Sequence, residues 1–364
     1  MNAHGQHGRP ADSAGPRVVA WEVTRRCPLA CKHCRAGAKD SAYEGELSTA
    51  ECLRVLDSLA AFGQPMIIWT GGEPMYRPDI LDLVRGATAR GLRSVMAPCG
   101  TLVTREALLA LKGAGVMACS FSLDGATAAT HDAFRGVAGA FANVTRAMEV
   151  AREIGMPFQV NATVSRLNKE ELPAIREAAI ARGARTLDLF FLVPVGRGAG
   201  LRDLSLTPDE TEAVLRWAFE MDGQGPIRVR ETCAPQAMRI WHGLGKPGQP
   251  PAGCMGGRGF VFISHTGVLQ PCGFLDVPSG DLRACDMDFK RAYEASPVFR
   301  DLSQPDRYGG ACGACAHRFG CGGCRARAYA ATGDYMAAET NCPIAARQGL
   351  GGHGQGAFNS VPCR

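Results

Sequence analysis

Six short, almost uninterrupted apolar runs punctuate residues 17–228, each separated from the next by enough chain for a helix. They are Val18–Thr24, Met66–Thr70, Arg93–Ala97, Ala118–Leu123, Phe158–Val164 and Thr186–Val193. A strand with water on one face alternates polar and apolar residues. A run that is apolar at nearly every position suits a parallel strand covered by helices on both sides. The intervening segments read as amphipathic helices with marked beginnings. Ser48-Thr-Ala-Glu51 is a capping box opening the stretch Cys52–Phe62. Thr207-Pro-Asp-Glu210 is another, with Pro208 at the first helical position, where a missing N–H costs nothing. Six β/α units predict an α/β fold built as a six-stranded partial barrel, with an open doubly wound sheet as the alternative. Either arrangement puts the functional loops at the carboxyl ends of the strands.

Near residue 230 the texture changes. Gly, Pro and Cys become dense, and helical periodicity fades until Arg325–Thr332; ten of the 16 cysteines lie beyond this point. The sequence therefore predicts a mobile arm over 1–16, a barrel over 17–228, a second, cysteine-rich domain over 229–345 and a loose tail over 346–364. The first twenty residues carry no apolar leader-like stretch, and no apolar run is long enough to span a bilayer. The expectation is a cytoplasmic protein, where reduced thiols serve metal or redox sites rather than disulfides. A net charge of +5 is mild for 364 residues and predicts no nucleic-acid partner. Of the 40 basic residues 34 are Arg. That bias follows from nucleotide composition, or from a need to grip carboxylates through two-pronged contacts.

Directly after the first apolar run stands Cys27-Pro-Leu-Ala-Cys31-Lys-His-Cys34, a C-x3-C-x2-C spacing. Three thiolates on one short loop can hold three corners of a cubane iron–sulfur cluster. The fourth iron then keeps an open site that a small chelating ligand can take. The alternative, zinc, wants four ligands, usually from C-x2-C pairs. His33 could supply a fourth, but Lys32 and Cys34 crowd it.

With this spacing at the end of a first strand, the chain resembles the radical S-adenosylmethionine (SAM) superfamily. Thr70-Gly71-Gly72-Glu73-Pro74 after the second strand is similar to that superfamily's GGEP motif, which holds the SAM amino group. Ser122 and Asp124 end the fourth strand, and Asn161 and Thr163 lie in the fifth. In the family, such positions touch the SAM carboxylate and ribose; as plain residues they are caps or turns. The resemblance implies a [4Fe–4S] cluster on Cys27, Cys31 and Cys34, with SAM chelated at the open iron. It further implies one-electron cleavage of SAM to methionine and a 5′-deoxyadenosyl radical, which abstracts hydrogen from an unactivated carbon. The cofactors carry the hard step while the protein supplies geometry and excludes water.

The second region holds Cys254, then Cys272, then Cys312-x2-Cys315-x5-Cys321-x2-Cys324, then Cys342. It resembles the seven-cysteine SPASM extension of many radical SAM proteins, with two departures. The last gap of the quartet is two residues instead of three, and Phe260 stands near the place of a further cysteine. The resemblance implies at least one auxiliary [4Fe–4S] cluster, with Cys312, Cys315, Cys321 and Cys342 as its preferred ligands. Cys254, Cys272 and Cys324 could complete a second site if another residue, such as Cys233, joined them. Taken alone, paired C-x2-C units also suit a zinc knuckle. Cys52 and Cys119 read as small core residues. Cys99, Cys285 and Cys363 lack ligand spacing.

Further stretches narrow the resemblance. Trp21-Glu-Val-Thr-Arg-Arg-Cys27, Met96-Ala-Pro-Cys-Gly-Thr101, Asp132-Ala-Phe-Arg-Gly136, Leu192-Val-Pro-Val-Gly-Arg-Gly198, Glu231-Thr-Cys-Ala-Pro235, Phe262-Ile-Ser-His-Thr-Gly267 and Cys321-Gly-Gly-Cys-Arg-Ala-Arg-Ala-Tyr-Ala-Ala-Thr-Gly-Asp334 stand together in one chain. Taken as a set, they are similar to the SAM-dependent haem synthases of the sirohaem-based pathway. That family implies iron-coproporphyrin III as substrate, two propionates converted to vinyl groups, two SAM consumed and two CO2 released. It also implies a low-potential electron donor of the ferredoxin or flavodoxin class. A tetra-anionic substrate gives the arginines a use. Arg25, Arg35, Arg135, Arg166 and Arg197 lie near carboxyl ends of strands, where they hold propionates or are merely solvated. His33 and His265 are either ligands to the substrate iron or ordinary hydrogen-bonded histidines. Three readings compete with this one. They are a radical SAM enzyme acting on another tetrapyrrole, one acting on a ribosomal peptide, and a non-enzymatic iron–sulfur or zinc protein.

Overall fold

The computed structural model describes residues 15–347. Most of the expected tail and most of the expected arm lie outside them; residues 346 and 347 close a helix, Pro343–Arg347. Six strands sit where the apolar runs predict: β1 (Val18–Glu22), β2 (Met66–Thr70), β3 (Ser94–Met96), β4 (Val116–Ser122), β5 (Phe158–Val164) and β6 (Thr186–Phe191). Four further strands were not anticipated: β7 (Arg228–Thr232), β8 (Phe260–Ile263), β9 (Val268–Gln270) and β10 (Gly280–Asp281). All ten form one sheet in the order β10-β9-β8-β1-β2-β3-β4-β5-β6-β7. Strands β8 and β1 to β7 run parallel; β9 and β10 are antiparallel additions. The sheet thus crosses residue 228. β7 begins there beside β6, and β8 returns to pair with β1, Val18 opposite Phe260.

Helices α1 (Thr49–Phe62), α2 (Ile80–Ala89), α3 (Arg105–Ala114), α4 (Ala128–Arg135), α5 (Ala140–Glu153), α6 (Leu172–Ala181) and α7 (Pro208–Met221) fill the connections. Both capping boxes form. Ser48 caps α1 with Glu51, and Thr207 caps α7 with Glu210, so two otherwise orphaned N–H groups are satisfied at each start. The core sits between helices and sheet. At its centre Trp21 and Trp69, opposite each other on β1 and β2, stack with ring centroids 5.8 Å apart. Ser94 accepts from Trp69 Nε1 at 3.0 Å, so the indole N–H is buried without loss.

The strands are not buried equally on both faces. β5 alternates buried and half-buried positions. Its half-buried side carries Gln159, Asn161 and Thr163, beside Ser120 and Ser122 of β4. Asn161 Nδ2 donates to Ser120 Oγ at 2.8 Å, and Gln159 donates to both Ser120 and Asn161. This polar ladder belongs to the less buried face of the two strands, opposite the apolar residues Phe158, Val160, Ala162 and Val164.

Candidate active site

The thiol loop that follows β1 is clamped from several sides. Cys27 N–H donates to Lys39 O at 3.0 Å and Cys34 N–H to Cys31 O at 3.2 Å. From α4, Phe134 O accepts the Lys32 N–H at 3.0 Å. Beyond β6, Arg197 N–H donates to Cys34 O at 3.0 Å, while its guanidinium donates to Cys31 O at 2.9 Å and Ala38 O at 2.6 Å. Gly196 shows why no larger residue fits this clamp. It has φ +57°, and a Cβ there would stand 2.1 Å from Arg35 O. Cys27 and Cys31 are buried and Cys34 half-buried. Arg135 Nη1 lies 3.7 Å from Cys31 Sγ; burial pushes that thiol's pKa up, and the guanidinium offsets part of the rise.

The GGEP loop packs on the entry to the thiol loop. Gly72 N–H donates to Thr24 O and Glu73 N–H to Arg26 O, both at 2.8 Å. A Cβ at 71 would reach within 2.2 Å of Thr24 O, and one at 72 within 2.3 Å of Arg26 O. The glycines therefore allow two backbones to meet. Glu73 is fully buried. Its Oε1 accepts from Met75 N–H at 2.9 Å and its Oε2 from Cys99 N–H at 2.5 Å. Burial, aided by the Cys99 thiol, pushes its pKa well up. Glu73 thereby ties the loop after β3 to the loop after β2, with Pro74 opening a short 3-10 turn. Cys99, which lacked any spacing signal, packs beside Cys27, Cys31 and Cys34. Nothing local marks it; only the fold brings it there.

The remaining expected cofactor and substrate residues divide. Ser122 and Asn161 belong to the half-buried polar face. Asp124 is buried and committed. Its Oδ2 pairs with Arg135 Nη2 at 2.6 Å, and its Oδ1 accepts from Thr163 N–H at 2.7 Å. Burial raises its pKa, but Arg135 foremost, together with His33, His131 and the Thr163 N–H, outweighs burial and holds it below the usual carboxylate range. Arg135 and Arg197 thus brace the thiol loop. Arg166 pairs with Glu210 of the α7 cap at 3.0 Å. Arg25 and Arg35 both turn to Glu22, at 3.0 and 3.1 Å. His265 Nδ1 joins the same carboxylate at 2.8 Å. Burial raises the Glu22 pKa, yet Arg35 foremost, with His265 and Arg25, brings it down to about 2. His33 stacks on Phe134 at 4.4 Å, and burial, then Arg135, pushes its pKa down to about 3. It is a packed neutral ring.

The C-terminal thiols fall into two groups. Cys312, Cys315, Cys321 and Cys342 line one cavity, together with Gln236 and Glu339. Donors face these sulfurs: Glu339 N–H to Cys312 Sγ at 3.2 Å, Arg325 Nη2 to the same sulfur at 3.4 Å, and His317 N–H to Cys315 Sγ at 3.4 Å. The second group is Cys233, Cys254, Cys272 and Cys324. Burial and then Cys324, Cys272 and Cys254 push the Cys233 thiol well up; burial, Cys254 and Cys324 take Cys272 to about 12. Cys233 also holds φ +63°, an uncommon conformation for a side chain other than glycine. Between the groups lies a buried ion pair, Arg327 to Glu339 at 3.0 Å. Arg327 also donates to Cys233 O at 2.9 Å, and Glu339 accepts from Cys324 N–H at 2.7 Å. Among the described residues no three Cys, His, Asp or Glu side chains converge as a single-ion site. The four thiols of the first group instead spread around the walls of their cavity.

A parallel α/β sheet with a three-thiol loop after β1 and a GGEP loop after β2 defines a class, and comparison with known proteins agrees. The radical SAM superfamily model matches residues 21–179, and the chain belongs to that superfamily. Within it, the chain is similar to an AdoMet-dependent heme synthase of Nitratidesulfovibrio vulgaris, 42% identical over 95% of this chain and 97% of that protein. An AdoMet-dependent heme synthase of Methanosarcina barkeri is 42% identical over 90% of this chain and 96% of its own length. Among solved structures, SuiB of Streptococcus suis bound to S-adenosylmethionine superposes with a TM-score of 0.71. It covers 91% of this chain and 77% of that one at 14% identity, which speaks to the fold alone. The family's cofactors are a [4Fe–4S] cluster and SAM. The donor set fits them: three thiols on one braced loop, none tied in a disulfide, with an arginine beside Cys31. No helix among the described residues is long and apolar enough to cross a membrane.

Proposed function

We propose that this chain is a radical SAM oxidative decarboxylase that converts two propionates of iron-coproporphyrin III to vinyl groups. The observation that carries the reading is the 42% identity to heme synthases across 95% of the chain. The thiol loop sets a reaction class, whereas similarity of that extent reaches the substrate-specific parts. When bound, the cluster and SAM supply a hydrogen-abstracting radical. Each conversion takes one hydrogen atom, one electron and CO2 from R–CH2–CH2–COO−, leaving R–CH=CH2. The hydrogen goes to the 5′-deoxyadenosyl group, and the electron needs an acceptor.

Within this reading Cys27, Cys31 and Cys34 hold the cluster. Arg197 and Arg135 hold the loop, and Gly71, Gly72, Glu73 and Pro74 shape the cofactor's rim. Ser122 and Asn161 offer polar contacts to SAM. Asp124 acts through Arg135. Residues 229–345 form the SPASM-like auxiliary unit, though its strands extend the barrel's sheet. Cys312, Cys315, Cys321 and Cys342 hold an auxiliary [4Fe–4S] cluster that accepts the electron. Cys233, Cys254, Cys272 and Cys324 supply a second set of four thiols, with Cys233 filling the place that Phe260 leaves empty. A ferredoxin or flavodoxin-class donor in the cytoplasm would supply the electron for SAM cleavage.

The test is anaerobic turnover of the reconstituted chain with SAM, a strong reductant and iron-coproporphyrin III. The porphyrin is followed by mass spectrometry. Stepwise loss of two units of CO2 plus two hydrogens, with 5′-deoxyadenosine released, is the expected result. Release of 5′-deoxyadenosine from SAM beside an unchanged porphyrin would remove the substrate from this reading.

A further inference from the structure

Three buried arginines in this protein each keep a carboxylate of their own, while Arg325 is satisfied by backbone carbonyls and the Cys312 sulfur. Arg77 holds Asp79 at 2.7 Å, Arg135 holds Asp124 at 2.6 Å, and Arg327 holds Glu339 at 3.0 Å. Arg25 and Arg35 break that pattern by sharing Glu22, which also accepts His265. Among the described residues no other carboxylate pairs with either guanidinium. Glu46 reaches only the Arg25 backbone: its Oε1 accepts from Thr24 Oγ1 at 2.7 Å and from the Arg25 N–H at 3.1 Å. Two fixed positive charges thus face one negative charge. A surplus charge in a partly desolvated place is costly, and an incoming anion relieves it. Each guanidinium spends one nitrogen on Glu22 and retains donors, in the forked geometry that suits a carboxylate.

The location narrows the ligand. Arg35 directly follows Cys34, and its guanidinium lies over the Phe262 ring of β8 at 4.1 Å, which fixes its plane. Gly273, next to Cys272, faces it; a Cβ there would stand 3.1 Å from Arg35 Nε. The cationic pair therefore lies between the first thiol loop and one member of the second thiol group. We infer that Arg25 and Arg35, anchored by Glu22, form a carboxylate-binding site that takes one propionate of the substrate. This rests on the haem-synthase reading. The SAM carboxylate has the same chemistry and is the other source the test must separate.

The experiment titrates the full reconstituted chain, without reductant, against iron-coproporphyrin III and separately against its tetramethyl ester, following the Soret band. SAM binding is measured by equilibrium dialysis. Arg35→Gln and Arg25→Gln should each weaken binding of the tetra-acid by roughly 10- to 100-fold, the loss of a charge-assisted contact. Binding of the ester and of SAM should stay unchanged, and Arg35→Lys should recover part of the loss. Arg25 is the more exposed of the two, so its variant carries the test if Arg35→Gln fails to fold. Equal affinity of wild type and variants for the tetra-acid would overturn the site and leave the haem-synthase reading standing. Lost SAM binding with porphyrin binding intact would give the arginines to SAM and overturn the assignment to substrate. A wild-type chain that bound neither porphyrin would end the haem-synthase reading and this site with it.

Discussion

The thiol loop after β1 and the C-terminal thiol groups solve one problem, holding sulfurs in place, by opposite means. The first uses three cysteines within eight residues and borrows its rigidity. Lys39, Phe134 and Arg197 supply the backbone and side-chain bonds that hold it, and Gly136 and Gly196 let the neighbouring chain approach. The second gathers cysteines from positions 233 to 342 and builds its own rigidity from the buried Arg327–Glu339 pair, whose side chains bond Cys233 and Cys324 while the Glu339 N–H donates to Cys312 Sγ. A loop framed by others leaves one coordination position open for a ligand. On the proposed assignment, four thiols surrounding a cavity would leave none, which suits electron storage more than chemistry.

The largest effects should separate the two regions outright. Cys27→Ala is expected to abolish 5′-deoxyadenosine release. Cys315→Ala should retain that release while losing porphyrin product and about four irons per chain. If Cys315→Ala still made normal product, the division of labour would be wrong. Next in size is Glu339→Ala, which strands a buried guanidinium. A stability loss of about 3–5 kcal/mol is expected by denaturant unfolding, with iron lost from both C-terminal groups and none from the first loop. Iron loss confined to one group would show that the pair does not join them.

Glu22 gives a pH test on the first region. Its pKa falls from 4.5 to about 2 in the folded chain. A depressed carboxylate stabilises above its unfolded pKa, and that contribution drains away as pH falls from about 4.5 towards 2. The drop should amount to about 3 kcal/mol by unfolding midpoints of the metal-free chain, and Glu22→Gln should flatten it. The smallest effect is a control outside both regions. Ser48→Ala removes the α1 cap and should cost about 1 kcal/mol with iron content and SAM cleavage intact.

The sequence disclosed features that are local. Six apolar runs, two capping boxes and the C-x3-C-x2-C spacing each lie within a few residues and survive into the structure. What escaped depends on distant segments. β7 alternates Arg228, Arg230 and Thr232 with Val229 and Glu231, so it shows no apolar run. β8 is only four residues long, Phe260–Ile263. Cys99 and Glu22 carry no spacing signal. Their setting comes from β2 and β3 in one case and from β1 and β8 in the other. Arg166 had the right address, beside a strand end, but Glu210 of the α7 cap takes its charge.

The pairing of β8 with β1 sets a timetable. Val18 to Trp21 lie opposite Phe260 to Ile263, so the first strand waits for a partner made late in translation. Until then β1 keeps one hydrogen-bonding edge bare, and Glu22 lacks His265. The corner that carries the first thiol loop becomes final only when the C-terminal third arrives, so iron and sulfide delivered sooner would meet an unfinished cradle.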